Sequence, residues 1–464
     1  MIVNQPNDGG GSESVNMFEL SEVLKAVKGR WIFGDMERQA IGVSTDSRTI
    51  RPGDLFIALK GDHFDGHTFL KEVVQKGAIG LVISDEKSTE GIGKIPMILV
   101  SDTTKALGEL AQCHRLCFKG PVIAVTGSCG KTSTKEMIAS ALSVRGPVLK
   151  SEGTQNNHIG VPWTLLKLKD EYWSAVVEMG MNHLGEIEYL AQMAKPQIGV
   201  ITNVAAAHLA EIGSVEQVAR AKCELLKILG HSGVALLNGD DEILMRESQK
   251  YPCRKVTFGL SSSCDVHLTG EEFPANLSAS FQKLNALAAV AVAELIGIPR
   301  QGTLQVLSNW VPPKGRLEVK KAGSFWIIDD TYNANPLSMR SALEFLRDFQ
   351  TSGKRIAILS DMLELGPEAE RWHYRLGQQA AVFGLDHLIL LGEFSKYVQK
   401  EAEDKGMNPE AIHLAHSYQE ILLQVTSIIT AQDVILVKGS RRMKMETVVE
   451  GLQSYALSPA ISIA

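Results

Sequence analysis

The 464 residues of this sequence lack the features that are typical of secreted, membrane-spanning, cysteine-rich and repeat proteins. Its six cysteines show no paired spacing of the metal or redox kind, so a reducing cytoplasm is the expected location. The N-terminus has no basic region followed by an apolar one, so no secretory signal is expected. The most apolar helix candidate, 284–298, contains Asn285 and Glu294 and is shorter than the ~20 residues that a bilayer requires. No internal repeat or low-complexity tract is present.

Excess positive charge is also missing, and this absence narrows the choice of partners. The formal net charge of −6 provides no general attraction to nucleic acid or to anionic membranes, so neither is expected as a stable partner. The apolar fraction of 44% and the charged fraction of 22% are typical of globular proteins. The length is too great for one hydrophobic core and suggests about three domains.

One stretch, PVIAVTGSCGKTSTKEMIASALS at 121–143, predicts a strand, a turn and a helix. A helix that begins in a glycine turn directs unpaired N–H groups at whatever fills the turn, and a phosphate chain is the natural occupant. Lys131 would then reach the outer phosphates, and the hydroxyl of Thr132 would bind Mg²⁺. The longer phosphate-loop pattern has glycine where this chain has Val125. An ordinary glycine turn between a buried strand and a helix is therefore the alternative.

Short apolar runs alternate with helical segments along the chain. Runs at 41–43, 55–59, 78–83 and 97–100 predict a small α/β unit, and similar runs follow at 175–177, 198–204, 234–237, 326–328, 356–359, 388–391 and 434–437. This alternation predicts an α/β fold with mostly parallel sheets covered on both faces. The two prolines in 311–315 suggest a domain boundary. We therefore expect a flexible tail at 1–16, a first domain at 17–118, a central domain at 119–313 and a C-terminal domain at 314–464.

Polar residues directly after the predicted strands are candidates for a site. In the first domain these are Ser44, Thr45, Asp46, Ser47 and Arg48, with His67 further along, and they suit a diphosphate or nucleotide. A capped turn with a solvated arginine is the alternative there. In the central domain the candidates are Glu178, His208 and Lys222, which could equally be a solvated carboxylate, a helix-capping or core histidine, and a surface lysine. With the glycine turn, all of them would meet at the carboxyl edge of one parallel sheet, where such folds bind ligands.

Taken together and in this order, a set of motifs resembles the Mur ligases over nearly the whole chain after Met17. The motifs are VSTDSRTIRPGDLFIALKG, DGHTF, TGSCGKTSTKE, NNHIGVPWTLL, EMGMNHLGEI, TNVAAAHL, ARAKCELL, LNALAAVAVA, GRLEV, DDTYNANP, DMLELG and KGSRRMKME. The resemblance implies three domains: a UDP-substrate domain, a central ATPase and a C-terminal Rossmann-like domain. DTYNANP with DMLELG is similar to the branch of this family that joins D-alanyl-D-alanine to UDP-N-acetylmuramoyl-tripeptide. A monomer is also implied.

The resemblance implies a role for each matching residue. It assigns ATP binding to Thr126, Gly127, Ser128, Cys129, Gly130, Lys131, Thr132 and Ser133, with Asn285 at adenine, Asp330 at ribose and Arg316 at phosphate. It assigns a first Mg²⁺ to Thr132 and Glu178, and a second Mg²⁺ to His208. It implies that Lys222 reacts with CO₂ to become a carbamate, which turns a cation beside two metal ions into an anion. Asn156 and Asn157 would contact the UDP substrate, and Asn333, Asn335 and Arg441 the dipeptide, with a solvated helix cap as the alternative for Arg441.

Three further hypotheses concern the same regions. A thiol at a helix N-terminus has a lowered pKa, so Cys129 would be reactive, although it could simply replace a small serine. A folylpolyglutamate synthase would account for the central domain but would leave the STDSR and DGH patches unexplained. A nucleotide-dependent switch would hydrolyse ATP without any amine acceptor, and the set of candidate metal ligands argues against it.

Overall fold

A computed structural model describes residues 18–61, 64–207 and 209–457. It contains two compact units, the first formed by the described part of Met1–Lys119 with His158–Leu168, and the second by the described part of Gly120–Asn157 with Lys169–Ala464. The chain therefore leaves the second unit after Asn157 and returns to it at Lys169. The domain boundaries expected from the sequence stay a prediction.

The first unit is built on a five-stranded sheet. The described strands of the whole unit are β1 (Phe18–Glu19), β2 (Arg30–Phe33), β3 (Gln39–Ala40), β4 (Gly42–Ser44), β5 (Asp54–Ile57), β6 (Lys60–Gly61), β7 (Phe64–Asp65), β8 (Gly80–Ile83) and β9 (Met97–Leu99), and the pairs β1-β3 and β6-β7 form two small sheets of their own. The sheet has the order β2-β9-β8-β5-β4 and is parallel except at β2. Strands β5 and β8 are buried along their whole length, as expected for a parallel sheet covered on both faces. The strands predicted in this region are confirmed, with ends shifted by one or two residues.

The second unit contains two six-stranded sheets. The first consists of β10 (Val122–Thr126), β11 (Val148–Lys150), β12 (Ser174–Glu178), β13 (Ile198–Ile201), β14 (Val234–Asn238) and β15 (Arg254–Phe258). It is parallel throughout, in the order β11-β12-β10-β13-β14-β15. The second consists of β16 (Glu318–Ala322), β17 (Phe325–Asp330), β18 (Arg355–Ser360), β19 (His387–Leu391), β20 (Ile412–Ala415) and β21 (Val434–Lys438). Its order is β16-β17-β21-β18-β19-β20, and only the edge strand β16 is antiparallel.

Helices cover the sheets on both faces. They are α1 (Leu20–Val27), α2 (Leu70–Gln75), α3 (Thr103–Cys117), α4 (Lys131–Leu142), α5 (Gly160–Leu166), α6 (Glu186–Ala194), α7 (Leu209–Ile212), α8 (Val215–Leu229), α9 (Glu242–Ser248), α10 (Ser280–Leu295), α11 (Arg300–Leu307), α12 (Pro336–Asp348), α13 (Ala369–Val382), α14 (Ser395–Asp404), α15 (Tyr418–Ile428) and α16 (Glu446–Leu457). Helices α4 and α10 share one core with β10 and β13. The second six-stranded sheet has a core on each face, one with α12 and α13 and the other with α15 and α16. The predicted α/β class is thus confirmed.

The strand order in the first six-stranded sheet places a binding crevice at β10. The chain passes from β10 to β11 and β12 on one side, and β13 continues the sheet on the other side. Loops that leave the carboxyl ends of the strands in opposite directions open a crevice, and open α/β sheets bind their ligands there. The glycine turn follows β10 directly, and Glu178 is the last residue of the neighbouring β12.

Some elements differ from those expected. The run 198–204 forms a strand only to Ile201, and the side chains of Thr202 and Asn203, which follow it, donate to the glycine turn. Strand β16 was missed because its sequence, EVKKA, is mostly polar, as suits an exposed edge strand. None of the helices in the described part of the chain has the length and apolar character that a bilayer crossing needs.

Candidate functional site

The glycine turn joins β10 to α4 through two glycines with positive φ. Gly127 has φ +151° and Gly130 has φ +79°, and a Cβ at Gly127 would overlap Oγ1 of Thr202. Gly130 is also the N-cap of α4 and has no side chain to bond the first N–H groups of the helix. Those donors and the positive end of the helix dipole therefore point into the turn, which is an arrangement suited to phosphate.

The turn is held by the residues that follow β13. Thr202 Oγ1 donates to the carbonyl of Cys129 at 2.6 Å, and Asn203 Nδ2 donates to the same oxygen at 3.1 Å. Asn203 Oδ1 accepts from the Cys129 N–H at 2.9 Å. Lys131 Nζ folds back onto the carbonyl of Gly127 at 2.8 Å and would have to leave it to reach a phosphate. Thr202 and Asn203 were not predicted as site residues, although two polar side chains directly after the apolar residues 198–201 were the signal.

Glu178 lies beside the turn and is held by two different groups. Its Oε1 accepts from Asn156 Nδ2 at 2.8 Å, and its Oε2 lies 3.6 Å from Lys135 Nζ. Lys135 is fully buried and also donates to the carbonyls of Ser151 and Gly153, at 2.7 and 2.8 Å. The segment 151–157 is thus attached both to α4 and to the end of β12. Lys135 was also not predicted, because its role depends on the carbonyl groups of a separate segment, 151–157.

Two buried oxygens at this point suit a divalent cation. Within residues 18–61, 64–207 and 209–457, neither Thr132 Oγ1 nor Glu178 Oε2 has a hydrogen-bond partner. Buried polar atoms are normally bonded, and hydroxyl and carboxylate oxygens are ligands that Mg²⁺ prefers. No three His, Cys, Asp or Glu side chains of the described residues cluster to form a metal cage. Mg²⁺ usually keeps several waters and substrate phosphates as ligands, so a site with one protein carboxylate is compatible with it.

Lys222 is a buried residue of α8 and carries a strongly shifted pKa. Burial lowers the pKa of its amine well below the usual lysine value, and the positive charge of Lys131 lowers it further. The surface-lysine alternative is therefore wrong. His208 lies outside the described residues, and its role stays a prediction.

Most of the site residues predicted in the second unit line one cavity, which has a volume of about 810 Å³. It is lined from the first six-stranded sheet by Ser128, Cys129, Gly130, Lys131, Thr132, Ser133, Asn156, Glu178 and Asn285, and from the region around β17 by Arg316, Asp330, Asn333 and Asn335. Five other predicted residues that the structure describes do not line it: Thr126, Gly127, Asn157, Lys222 and Arg441. The carboxyl ends of both six-stranded sheets therefore contribute to one cavity.

The C-terminal side of this cavity contains a buried ion pair. Asp330 Oδ2 accepts from Lys438 Nζ at 2.6 Å, and Lys438 also donates to the carbonyl of Asn333 at 2.8 Å. Asn335 caps α12 through Ser338 N–H. Asn285 Oδ1 accepts from Thr134 Oγ1 at 3.0 Å and lies against Gly130. Lys438 and Tyr332 also line the cavity, and Tyr332 was not predicted from the sequence.

The candidates of the first unit lie at the end of β4 and in the turn after β7. Arg48 forms a two-pronged contact with Asp46, and this hydrogen bond lowers the pKa of Asp46 to about 2. The Arg48 side chain is 85% exposed, so the alternative of a solvated arginine describes this structure. His67 is buried, with Nδ1 bonded to Asp65 at 2.6 Å and Nε2 accepting from Ser84 N–H at 2.9 Å. Both ring nitrogens stabilise the turn, and the substrate contact of His67 stays a prediction.

The hypothesis of a reactive Cys129 is corrected by its surroundings. Burial raises the pKa of the thiol above its usual value, and the thiol donates to Asn335 Oδ1 at 3.1 Å. At this half-buried thiol the effect of burial outweighs the lowering of the pKa expected at a helix N-terminus.

We expect Cys129 to react with iodoacetamide at neutral pH at least about tenfold more slowly than the exposed Cys117, because the thiolate is the reacting species. Peptide mass spectrometry over a time course measures the two rates, and the unfolded chain, in which both thiols are exposed, is the control. Equal labelling rates in the folded protein would contradict the assignment of a raised pKa.

Three models of one protein family match the chain. The Mur ligase family catalytic domain matches residues 40–115, the Mur ligase middle domain 125–293 and the Mur ligase glutamate ligase domain 315–441. The UDP-N-acetylmuramoyl-tripeptide–D-alanyl-D-alanine ligase of Escherichia coli is 35% identical over 95% of this chain and 98% of its own length. The enzyme of the same name from Synechocystis is 40% identical over 75% of this chain and 78% of its own length.

Solved structures give a similar result. MurF from Acinetobacter baumannii superimposes with a TM-score of 0.85 at 31% identity, covering 94% of this chain and 99% of its own. MurF from Thermotoga maritima, in complex with ADP, superimposes with a TM-score of 0.79 at 27% identity, covering 89% of this chain and 97% of its own.

Proposed function

This chain belongs to the Mur ligase family, and on that basis we propose that it joins D-alanyl-D-alanine to UDP-N-acetylmuramoyl-tripeptide in an ATP-dependent reaction. The product is the UDP-N-acetylmuramoyl-pentapeptide precursor of peptidoglycan. The main support for the proposal is that the glycine turn and the residues after β17 line one and the same cavity. A ligase must bring a phosphate donor and an amine together, and this cavity has a phosphate-type turn on one side and the DTYNANP segment on the other.

The chemistry explains why cationic groups gather here. A carboxylate is a poor acyl donor, so ATP first transfers its γ-phosphoryl group to the terminal carboxylate of the tripeptide, giving an acyl phosphate and ADP. The amine of the dipeptide then attacks the acyl carbon, the bond to phosphate breaks, and the nitrogen loses a proton as the amide forms. The first step brings two anions together, so positive charge has to stabilise it.

The nucleotide would be held by the glycine turn and by residues from both sheets. Lys131 would exchange the carbonyl of Gly127 for the outer phosphates, with the backbone N–H groups of 128–133 around them. Asn285 is proposed at adenine, Asp330 at ribose and Arg316 at phosphate. The ion pair with Lys438 occupies Oδ2 of Asp330, and Oδ1 accepts from the backbone N–H of Leu317 at 3.2 Å. A further bond to a ribose hydroxyl is compatible with this arrangement, because a carboxylate oxygen accepts more than one.

The two buried oxygens that have no hydrogen-bond partner among the described residues support a Mg²⁺ site at Thr132 and Glu178. Bound Mg²⁺ would neutralise phosphate charge and orient the transferred group. His208 is proposed at a second Mg²⁺. Lys222 is proposed to react with CO₂, because its buried amine has a lowered pKa and only a neutral amine can add to CO₂. The resulting carbamate would place a negative charge near Lys131 and the metal site.

The two substrates would use different parts of the chain. For the UDP substrate we propose Ser44, Thr45, Asp46, Ser47, Arg48 and His67. Asn156 and Asn157 are proposed for the same substrate. Asn333, Asn335 and Arg441 are proposed for the dipeptide. Arg441 is exposed and forms an ion pair with Glu446 at 3.0 Å, which a dipeptide carboxylate would replace. We also propose a cytoplasmic, monomeric protein, and the free state of all six cysteines supports that location.

A ligation assay tests the proposed function. The purified chain is incubated with ATP, Mg²⁺, UDP-N-acetylmuramoyl-tripeptide and D-alanyl-D-alanine, and both phosphate and amide product are measured. We expect amide formation that needs all four components. Folate with glutamate is the matched arm for a folylpolyglutamate synthase, and ATP alone is the arm for a nucleotide-dependent switch. Amide formation only in the folate arm, or ATP turnover independent of any amine, would overturn the proposal.

A further inference from the structure

Tyr332 connects two parts of the cavity wall that are 178 residues apart in the sequence. Its hydroxyl donates to Oγ1 of Thr154 at 2.8 Å. Thr154 belongs to the segment 151–157 that follows β11, whereas Tyr332 lies two residues beyond the end of β17. Both residues line the cavity. One side-chain hydrogen bond therefore links the carboxyl ends of the two six-stranded sheets across the proposed site.

The Thr154 end of this bond is firmly attached to the proposed metal site. Lys135 holds the carbonyls of Ser151 and Gly153, on the near side of Thr154 in the sequence. On its far side, Asn156 donates to Glu178 through its side chain and accepts from the Gly180 N–H through its carbonyl. A displacement of Thr154 would therefore be transmitted to Glu178. The hydroxyl of Tyr332 thus contacts the part of the wall where the carboxylate of the tripeptide would be activated.

The ring of Tyr332 contacts the other half of the site. The guanidinium carbon of Arg316 lies 4.0 Å from the ring centroid, and that of Arg441 lies 5.8 Å from it. Both distances are within the ~6 Å over which a cation is attracted to an aromatic face. The backbone is held as well, because Tyr332 N–H donates to the carbonyl of Gly315 at 3.0 Å. One side chain therefore positions an arginine proposed for phosphate and an arginine proposed for the dipeptide.

We infer that Tyr332 is a positioning residue for the ligation step, which fixes the incoming amine relative to the acyl phosphate and so prevents water from consuming that intermediate. The inference rests on the proposed function. Attack by the amine forms the C–N bond, breaks the bond from carbon to the phosphate oxygen, and releases phosphate and a proton. Attack by water at the same carbon breaks the same bond but returns the original carboxylate with phosphate, so ATP is spent without product. Reacting atoms must lie about 3–3.5 Å apart, and a misplacement of about 1 Å costs about 100-fold in rate.

The ratio of phosphate released to amide formed tests this role, because a merely destabilised enzyme would lose both in parallel. We expect a ratio near one for the unaltered chain and a ratio of about three or more for Tyr332→Leu, which lacks both the hydroxyl and the ring. Tyr332→Phe and Thr154→Val each remove one partner of the hydrogen bond, and each should lower the amide rate about fivefold. The double variant should be no slower than either single variant, because both remove the same bond.

Tyr397→Phe is the matched control, since it also removes a tyrosine hydroxyl that donates to a side chain, Glu370 at 2.6 Å, but does so outside the cavity. It should leave both rate and ratio unchanged. A ratio near one in every Tyr332 variant, or losses that add in the double variant, would overturn the inference while leaving the proposed function intact. If Tyr332→Leu does not fold, the two conservative variants and their double variant decide. If the unaltered chain forms no amide, the proposed function fails and the inference fails with it.

Discussion

Replacement of Lys222 with alanine is expected to lower the rate of amide formation by about 1,000-fold, and formate or acetate is expected to restore part of the loss. Lys222 lies buried in α8, and both burial and the charge of Lys131 lower the pKa of its amine. An ammonium ion at this position would repel Lys131 and the proposed metal ions. A carbamate would instead be attracted to them. Alanine removes that anion and leaves a space in which a small carboxylate can bind.

The control for this prediction is Lys227→Ala, on the same helix. Lys227 is exposed and forms an ion pair with Glu188 at 2.7 Å, so its loss should leave the ligation rate unchanged. The rates of both variants are measured against formate concentration, and thermal unfolding is followed in parallel. Full activity of Lys222→Ala would show that no carbamate is needed. A loss that no carboxylate restores, in a variant with unchanged unfolding temperature, would indicate a role for the ammonium group itself.

The sequence predicted those parts of the fold that depend on local patterns. Most strands of the parallel sheets are buried on both faces, so they are short apolar runs that the sequence displays directly. Strand β16 lacks such a run because it lies at an edge of its sheet and is only partly buried. The glycine turn was also predictable, because positive φ at two positions and an open helix N-terminus require glycines at a fixed spacing.

The missed contacts of the site join residues that are distant in the sequence. Lys135 has the polar neighbours of a surface lysine, yet it is fully buried because the segment 151–157 folds over it. Asp330 and Lys438 pair across two adjacent strands that are 108 residues apart in the sequence. For Cys129 the sequence predicted a lowered pKa, and the structure shows a raised one. The helix N-terminus was visible in the sequence, but the burial that raises the pKa of the thiol was not.

Replacement of Glu178 with glutamine is expected to lower the ligation rate by about 100- to 1,000-fold and to raise the Mg²⁺ concentration needed for half-maximal rate. Glutamine preserves the shape of the side chain and can still accept from Asn156, so the segment 151–157 should keep its place. What it loses is the negative charge of Oε2, the buried oxygen that has no hydrogen-bond partner among the described residues. A neutral amide oxygen is a weaker ligand for Mg²⁺ than a carboxylate. Initial rates measured against Mg²⁺ at saturating ATP test both parts of this prediction.

Glu136→Gln separates the metal role of Glu178 from a purely electrostatic role. Both carboxylates contact the same ammonium group, with Lys135 Nζ 3.2 Å from Glu136 and 3.6 Å from Glu178. Only Glu178 lines the cavity. If the loss in Glu178→Gln came from disturbing Lys135, Glu136→Gln should lose activity as well. If it came from the metal, Glu136→Gln should keep its rate within about twofold and its Mg²⁺ dependence unchanged. An unaltered Mg²⁺ dependence in Glu178→Gln itself would show that this carboxylate does not hold the ion.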